Sequence, residues 1–157
     1  SVFAQPIAFN CIPVIDTMQD NDYTREEMKL HWETRKILRD DSIGVNATAV
    51  RVPVFYGHSE AVHLETARDI SMEAVRDAMR KAPGLVLIDD TDAKAQATAV
   101  THAAGKNETF VSRLRRDYTH PRGIDMWVVS DNVRKGAALN AVQILKMMVT
   151  GKMPVET

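Results

Sequence analysis

A chain of 157 residues is long enough to bury one complete hydrophobic core, and 20 Lys and Arg against 21 Asp and Glu leave a formal charge of −1. This near balance argues against a broadly cationic surface, so no nucleic acid and no membrane is expected as partner, and small molecules or other protein chains are. The single cysteine, Cys11, excludes an internal disulfide and any multi-cysteine metal site.

The opening run SVFAQPIAFN lacks an initiator Met and enters directly into a strand-like pattern, as the middle of a longer polypeptide would. A fragment is therefore expected. Residues 7–16 form a mixed apolar run with β-branched Ile and Val that predicts a buried strand with Cys11 inside it. Loop residues follow, and Thr24 with Glu27 three positions later has the form of a reciprocal capping box, placing a helix start at Thr24. Met28, Trp32, Ile37 and Leu38 give that helix an imperfect apolar stripe, with Gly44 as its stop.

From Asn46 the period changes to two. Thr48, Val50, Val52 and Val54 fall on one face of a predicted strand, and Ala47, Ala49, Arg51 and Pro53 on the other. A second strand is expected through residues 61–70. Ser71 then caps a helix carrying Met72, Val75 and Met79 at helical spacing, which Pro83 and Gly84 stop. A short strand over residues 84–90 precedes an Ala- and Thr-rich stretch, residues 91–105, read as irregular or strand. Residues 109–117 and 124–132 predict a strand pair joined by the loop YTHPRG. Asp131 can cap a last helix over about 132–149, and the tail, residues 150–157, should fray. Strands and helices mix without strict alternation, predicting α+β: a mixed, largely antiparallel sheet with helices on one face. No apolar run nears the roughly 20 residues that span a bilayer, so a cytoplasmic protein is the default expectation.

Chemistry concentrates where the alternating strand is interrupted. On an unbroken strand Arg51 and His58, seven apart, would point to opposite faces. Pro53 and Gly57 supply the bend or bulge that can bring them together. A guanidinium grips a carboxylate through a planar two-bond fork and an imidazole titrates near neutrality, so the pair suits an acid substrate and a proton transfer. The alternative is a surface Arg in an ion pair and a His at a strand end. Glu26 and Lys29, at i and i+3 near a helix N-terminus, are either a solvated pair or receptors for an ammonium and an anion. His31, His63, His102, His120 and Cys11 have no ligand spacing, so no zinc site is expected. The run RLRRD at residues 113–117 puts Arg113 and Arg115 on one strand face, solvated or in contact with another subunit. No phosphate-binding or dinucleotide-binding glycine turn is present in the chain.

Taken in order, EEMKLHWETRKIL, ATAVRVPVFYGHSEAV, RLRRD and DNVRKGAALNAVQI resemble successive landmarks of the C-terminal half of the aspartate-semialdehyde dehydrogenase family. The resemblance implies a substrate-binding and dimerisation domain over residues 1–157. It further implies NADP-dependent interconversion of aspartyl phosphate and aspartate semialdehyde with phosphate as co-substrate, within amino-acid biosynthesis from aspartate. It assigns His58 as acid/base catalyst, Arg51 to the substrate carboxylate, Glu26 to the substrate amino group, Lys29 to phosphate, and Asn132 to the nicotinamide side of the site. The family's thiolate nucleophile and its glycine-rich NADP turn belong to a part that this sequence does not contain, and Cys11 does not match the nucleophile's surroundings. Hence the chain is expected to be inactive alone, to form a homodimer, and to pack its last helix on the missing N-terminal domain. The competing expectations are a non-catalytic relative kept for subunit association, and a related reductase acting on acyl phosphates or acyl thioesters. Glu26 separates the latter, since only an amino-acid substrate needs an anion for its ammonium.

Overall fold

The computed structural model describes residues 3–152, so the fraying expected of the tail lies, from Met153 onward, outside the described residues. Contacts divide the chain into two compact units, Ser1–Val54 and Phe55–Thr157, and each has its own means of cohesion.

Among its described residues the first unit has one regular element, helix α1 (Arg25–Leu38). The capping box forms as the sequence predicts: the Thr24 hydroxyl accepts from the Glu27 amide at 3.3 Å, and the Glu27 carboxylate accepts from the Thr24 amide at 2.7 Å. The helix stops at Arg39, which takes a left-handed conformation with φ 54°, five residues before the expected stop at Gly44. Its apolar stripe is not a core face: Trp32, Ile37 and Leu38 are exposed. The face that does work within the unit is polar. Arg35 Nε donates to the Ile43 carbonyl at 2.8 Å, His31 Nδ1 lies 3.1 Å from the Val45 carbonyl, and Glu27 Oε1 accepts from the Ala49 amide at 2.8 Å. Residues 27, 31 and 35 stand four apart, one above another on a helix. They lace the extended segment 43–49 along α1.

Two expected strands are absent, and that lacing bears on the second of them. Residues 7–16 and 46–54 form no strands; they meet only through an isolated antiparallel bridge, Ile12 to Arg51, with both N···O distances 2.9 Å. A backbone whose amides and carbonyls are taken by side chains has no ladder to offer. The period of two is nonetheless real, because Ile43, Val45, Ala47, Ala49 and Arg51 are half-buried and the intervening residues exposed. The small-residue face with Arg51 faces inward, therefore, and the valines at 50, 52 and 54 face out, 40–46 % exposed. A tight turn about Pro53, closed by the Val54 amide on the Val52 carbonyl at 2.9 Å, ends the unit.

The second unit is built on a four-stranded mixed sheet in the order β1-β4-β3-β2. Its strands are β1 (His58–Glu65), β2 (Leu85–Leu87), β3 (Thr109–Arg116) and β4 (Gly123–Ser130). β1 and β3 flank β4 antiparallel, and β2 joins β3 in parallel. The predicted α+β class and mixed, largely antiparallel sheet are thus observed. Helix α2 (Met72–Lys81), capped by Ser71 Oγ on the Ala74 amide at 3.1 Å, covers one face. There Val75, Val111, Leu114, Ile124 and Met126 are buried, with Met72 and Met79 packed against them. Full burial of an aliphatic side chain contributes about 1.5–3 kcal/mol, so this cluster dominates the unit's stability.

The opposite sheet face is covered by the Ala-rich stretch, which holds a short 3₁₀ turn, Ala93–Ala95, and a wide i→i+5 turn, Ala99–Ala103. Ala97, Ala99 and Ala103 pack there with Val129, Phe110 and Trp127. Ala97 is fixed through both backbone groups: its amide donates to Ser112 Oγ at 3.3 Å and its carbonyl accepts from Trp127 Nε1 at 3.1 Å. Arg113 and Arg115 both line the hollow beside Ala97 and Trp127, but a bulge replaces the plain alternation between them. Ser112 pairs with Trp127 and Arg115 with Asp125, one extra residue on β3, and Arg113 sits at that bulge with φ 57°. The chain ends in helix α3 (Leu139–Thr150), entered through a wide turn, Arg134–Ala138. Asp131 secures this entry, as its position suggests, by accepting from the Val133 and Arg134 amides at 2.9 and 3.0 Å. Its other oxygen takes the Gly105 amide at 2.8 Å. These three amides hold the Asp131 carboxyl below its ordinary range.

Candidate functional site

Four of the five sequence-predicted site residues are held in place by one device: a side chain or bridge fixing the backbone beside them. In the first unit, Glu26 and Lys29 occupy the first turns of α1, where the capping box sets the helix start. Lys29 Nζ donates to Glu26 Oε2 at 3.0 Å, and both side chains are about two-fifths exposed. The hydrogen bond and charge of Glu26, with smaller help from Glu33 and Asp16, raise the Lys29 ammonium above its usual range. This is the i,i+3 pair that the spacing allowed, and an exposed pair of this kind contributes only about 0–1 kcal/mol. A ligand carrying both an anion and a cation can separate it at small cost.

Arg51 enters the same unit from the extended segment. Its backbone bridges Ile12 through amide and carbonyl, and its guanidinium carbon lies 4.9 Å from the centre of the Phe3 ring. Two residues earlier, Ala49 is tied to Glu27. Glu27 is the residue the sequence reading undervalued. It is 8 % exposed, and both carboxylate oxygens accept backbone amides from two different segments. The Thr24 and Ala49 amides, foremost among the causes, hold its carboxyl below the ordinary range against the opposing effect of burial. The capping box exposed half of this role in the sequence. The other half needed the fold of segment 43–49.

In the second unit His58 opens β1, exposed, with Ser130 opposite it in register. The preceding Gly57 is required. Its φ is +79°, and a Cβ there would come within 2.9 Å of the Ala99 Cβ and of the Ser130 carbonyl oxygen. The Gly57 amide donates to Asn132 Oδ1 at 3.2 Å, so Asn132 reaches across from the end of β4 to fix the residue before His58. The carboxamide oxygen being taken, the donors on Nδ2 are what Asn132 has to present to a ligand.

A separate cluster lies on the sheet face opposite α2. His63 Nδ1 is 2.8 Å from Asp125 Oδ1 and its Nε2 is 3.6 Å from Glu65, while Arg115 reaches the other Asp125 oxygen at 3.4 Å. The Asp125 hydrogen bond leads the acidic neighbours in raising the His63 imidazole above its ordinary range. Nothing in the sequence marked this histidine, because its partner is 62 positions away.

Comparison with known proteins gives these positions a context. The family described as "Semialdehyde dehydrogenase, dimerisation domain" matches residues 1–135. The aspartate-semialdehyde dehydrogenase of Legionella pneumophila is 54 % identical over 147 residues, which is 94 % of this chain and 42 % of that protein. Among solved structures, aspartate semialdehyde dehydrogenase II of Vibrio cholerae complexed with ASA superposes with a TM-score of 0.91 at 54 % identity, over 95 % of this chain and 44 % of that one. A probable aspartate-semialdehyde dehydrogenase of Pseudomonas aeruginosa gives 0.87 at 32 % identity over 96 % and 44 %. The chain thus spans rather less than half the length of the relatives it matches.

Proposed function

This chain belongs to the semialdehyde dehydrogenase dimerisation-domain family, and from that premise we propose that it is the C-terminal, substrate-binding half of an NADP-dependent aspartate-semialdehyde dehydrogenase. The observation that carries the reading is that Glu26, Lys29, Arg51, His58 and Asn132 all fall within the matched residues 1–135. The reaction is the interconversion of aspartyl phosphate and aspartate semialdehyde. The ASA bound by the Vibrio cholerae relative supports that substrate.

Each residue has a task that its chemistry suits. Arg51 grips the substrate carboxylate in a planar fork, its stem already oriented by the Ile12 bridge and the Phe3 ring. Glu26 receives the substrate ammonium, and Lys29, released from Glu26, receives the phosphate. His58 is the acid/base group: it holds a proton for the oxygen of the reacting carbonyl and takes one away when the thiol nucleophile is made ready. That nucleophile comes from the part of the enzyme beyond this chain, since Cys11 is exposed and lies away from any cationic or helix-terminal setting in sequence.

NADP would supply a hydride acceptor or donor. The chain has no glycine-rich phosphate turn, so its pyrophosphate is held elsewhere, and the free donors of Asn132 Nδ2 fit the carbonyl of a nicotinamide carboxamide. Alone, the chain is inactive. We also propose a homodimer, as the family's description implies, a cytoplasmic location, and packing of α3 on the absent nucleotide-binding half. The exposed Val142, Ile144, Leu145 and Met148 of α3 support that packing, being more apolar surface than a solvated helix carries.

A fusion tests the reading. Residues 1–157 replace the matching region of the Legionella pneumophila relative, and NADP reduction by aspartate semialdehyde is followed with and without phosphate. Phosphate-dependent turnover is expected. A folded fusion that binds NADP and does not turn over contradicts the proposal.

A further inference from the structure

We infer that Glu27 is a positioning residue for substrate binding, a role distinct from its part in capping α1 and resting on the functional reading above. Its carboxylate is bidentate across two segments: Oε2 on the Thr24 amide at 2.7 Å and Oε1 on the Ala49 amide at 2.8 Å. The first bond fixes where α1 begins, and hence where Glu26 and Lys29 project. The second fixes the extended segment two residues before Arg51. One buried anion therefore sets the offset between the groups for ammonium and phosphate and the group for carboxylate.

The energetics favour this assignment. A segment without a β-ladder has few bonds to hold its register along a helix, and among the described residues it has those of Arg35, His31, Tyr23 and Glu27, besides the Ile12 bridge. Tyr23 holds the Asn46 side chain, and Arg35 and His31 hold residues 43 and 45. Glu27 is the one that acts beside Arg51. A buried carboxylate accepting two amides forms charge-assisted bonds, roughly twice as strong as neutral ones, and losing one leaves a buried group unpaired. Arg51 keeps its own bridge to Ile12, but the remaining ties of the segment to α1 and its cap region lie at residues 43–46, so loosening Ala49 lets Arg51 shift relative to Glu26 and Lys29. A shift near 1 Å in a substrate-positioning group can lower reaction efficiency by about 10²-fold.

Glu27→Gln is the informative change. The carboxamide keeps the volume and can accept from one amide only, since its NH₂ end meets the other N–H donor to donor. In the 157-residue chain, amide exchange at Ala49 is expected to speed up at least tenfold. In the fusion, KM for aspartate semialdehyde is expected to rise about tenfold with a smaller change in kcat, because the chemistry at His58 is untouched. Thr24→Ala serves as control: it removes the cap hydroxyl and leaves both Glu27 bonds in place, so it should lower the unfolding midpoint without moving KM. A merely structural Glu27 would behave as Thr24 does.

The outcomes separate cleanly. If Arg51→Ala raises KM in the fusion and Glu27→Gln does not, the positioning role is wrong and the functional reading stands. If Ala49 exchange is the same in Glu27→Gln as in the parent chain, the bond does not hold the segment and the inference falls on structural grounds. If the parent fusion does not turn over, both fall together.

Discussion

The two units of this chain solve the same problem by opposite means. The second buries Val111, Ile124, Met126 and Val129 against a sheet, and its apolar clusters would hold it together whatever its surface charges did. The first has Ile12 as its only buried apolar residue among those described, with Thr24 and Glu27 as buried polar ones. It is held by helix side chains that donate to or accept from an extended backbone. The comparison teaches why four of the five proposed ligand-binding groups sit where polar bonding, not packing, sets position: Glu26, Lys29 and Arg51 in the laced unit, and Asn132 at a cap. A framework of directional bonds can present charged groups at fixed offsets, and an apolar core supports but does not aim them.

The contrast can be broken most forcefully through the core. Ile124→Ala removes a side chain only 2 % exposed beside Val75 and Val111, and should destabilise the second unit by about 3 kcal/mol. Urea unfolding followed through Trp127, whose indole is bonded inside that unit, reads the loss. A change below about 1 kcal/mol would mean that the sheet does not depend on this cluster. Next in size is Arg51→Lys in the fusion. A point charge replaces the planar fork, and KM for aspartate semialdehyde should rise about tenfold, near 1.4 kcal/mol of lost binding, with kcat almost unchanged. An unaltered KM would separate Arg51 from the substrate carboxylate.

The smallest effect is in pH dependence, where the two units should differ in sign. His63, raised by Asp125 and Glu65, stabilises the second unit below its unfolded value of about 6.5, and that contribution is lost as pH rises through the raised folded value. Glu27 is lowered by the Thr24 and Ala49 amides, so it stabilises the first unit above the ordinary carboxylate range and is lost as pH falls. Between neutral and mildly alkaline pH, Trp127 fluorescence should thus report a softening that Trp32, on α1, does not. His63→Gln should flatten that slope, and an unchanged slope would show that the imidazole contributes nothing there. On the acid side both units weaken, because Asp117 and Asp131 of the second are lowered as well.

What could be read from the letters alone follows the same division. α2 with its Ser71 cap, the β3 and β4 pair and the α+β class were legible, since long-period apolar patterns and caps are local and the sheet rewards them. Thr24 and Glu27 announced the start of α1 for the same reason. The strands expected at residues 7–16 and 46–54 failed because β-propensity states only that a segment suits a half-buried surface; residues 7–16 make local bonds about Asn10, and the segment leading to Arg51 is tied to side chains of α1 instead of a ladder. The Arg113 bulge was hidden by its residue type, as a left-handed Arg leaves no mark in sequence. Gly57, by contrast, did signal its turn. The proposed site residues were named through family resemblance; the double grip of Glu27 was not legible, because one of its two partners is 22 positions away.

The most direct test of the account is the rate of the His58→Ala fusion set against the parent fusion at saturating substrate, phosphate and NADP. A fall in kcat of about 10³-fold is expected for removal of the acid/base group, with Ala49 amide exchange and NADP binding unchanged. A variant that keeps the parent rate would contradict the assignment of His58 and, with it, the proposed chemistry of this chain.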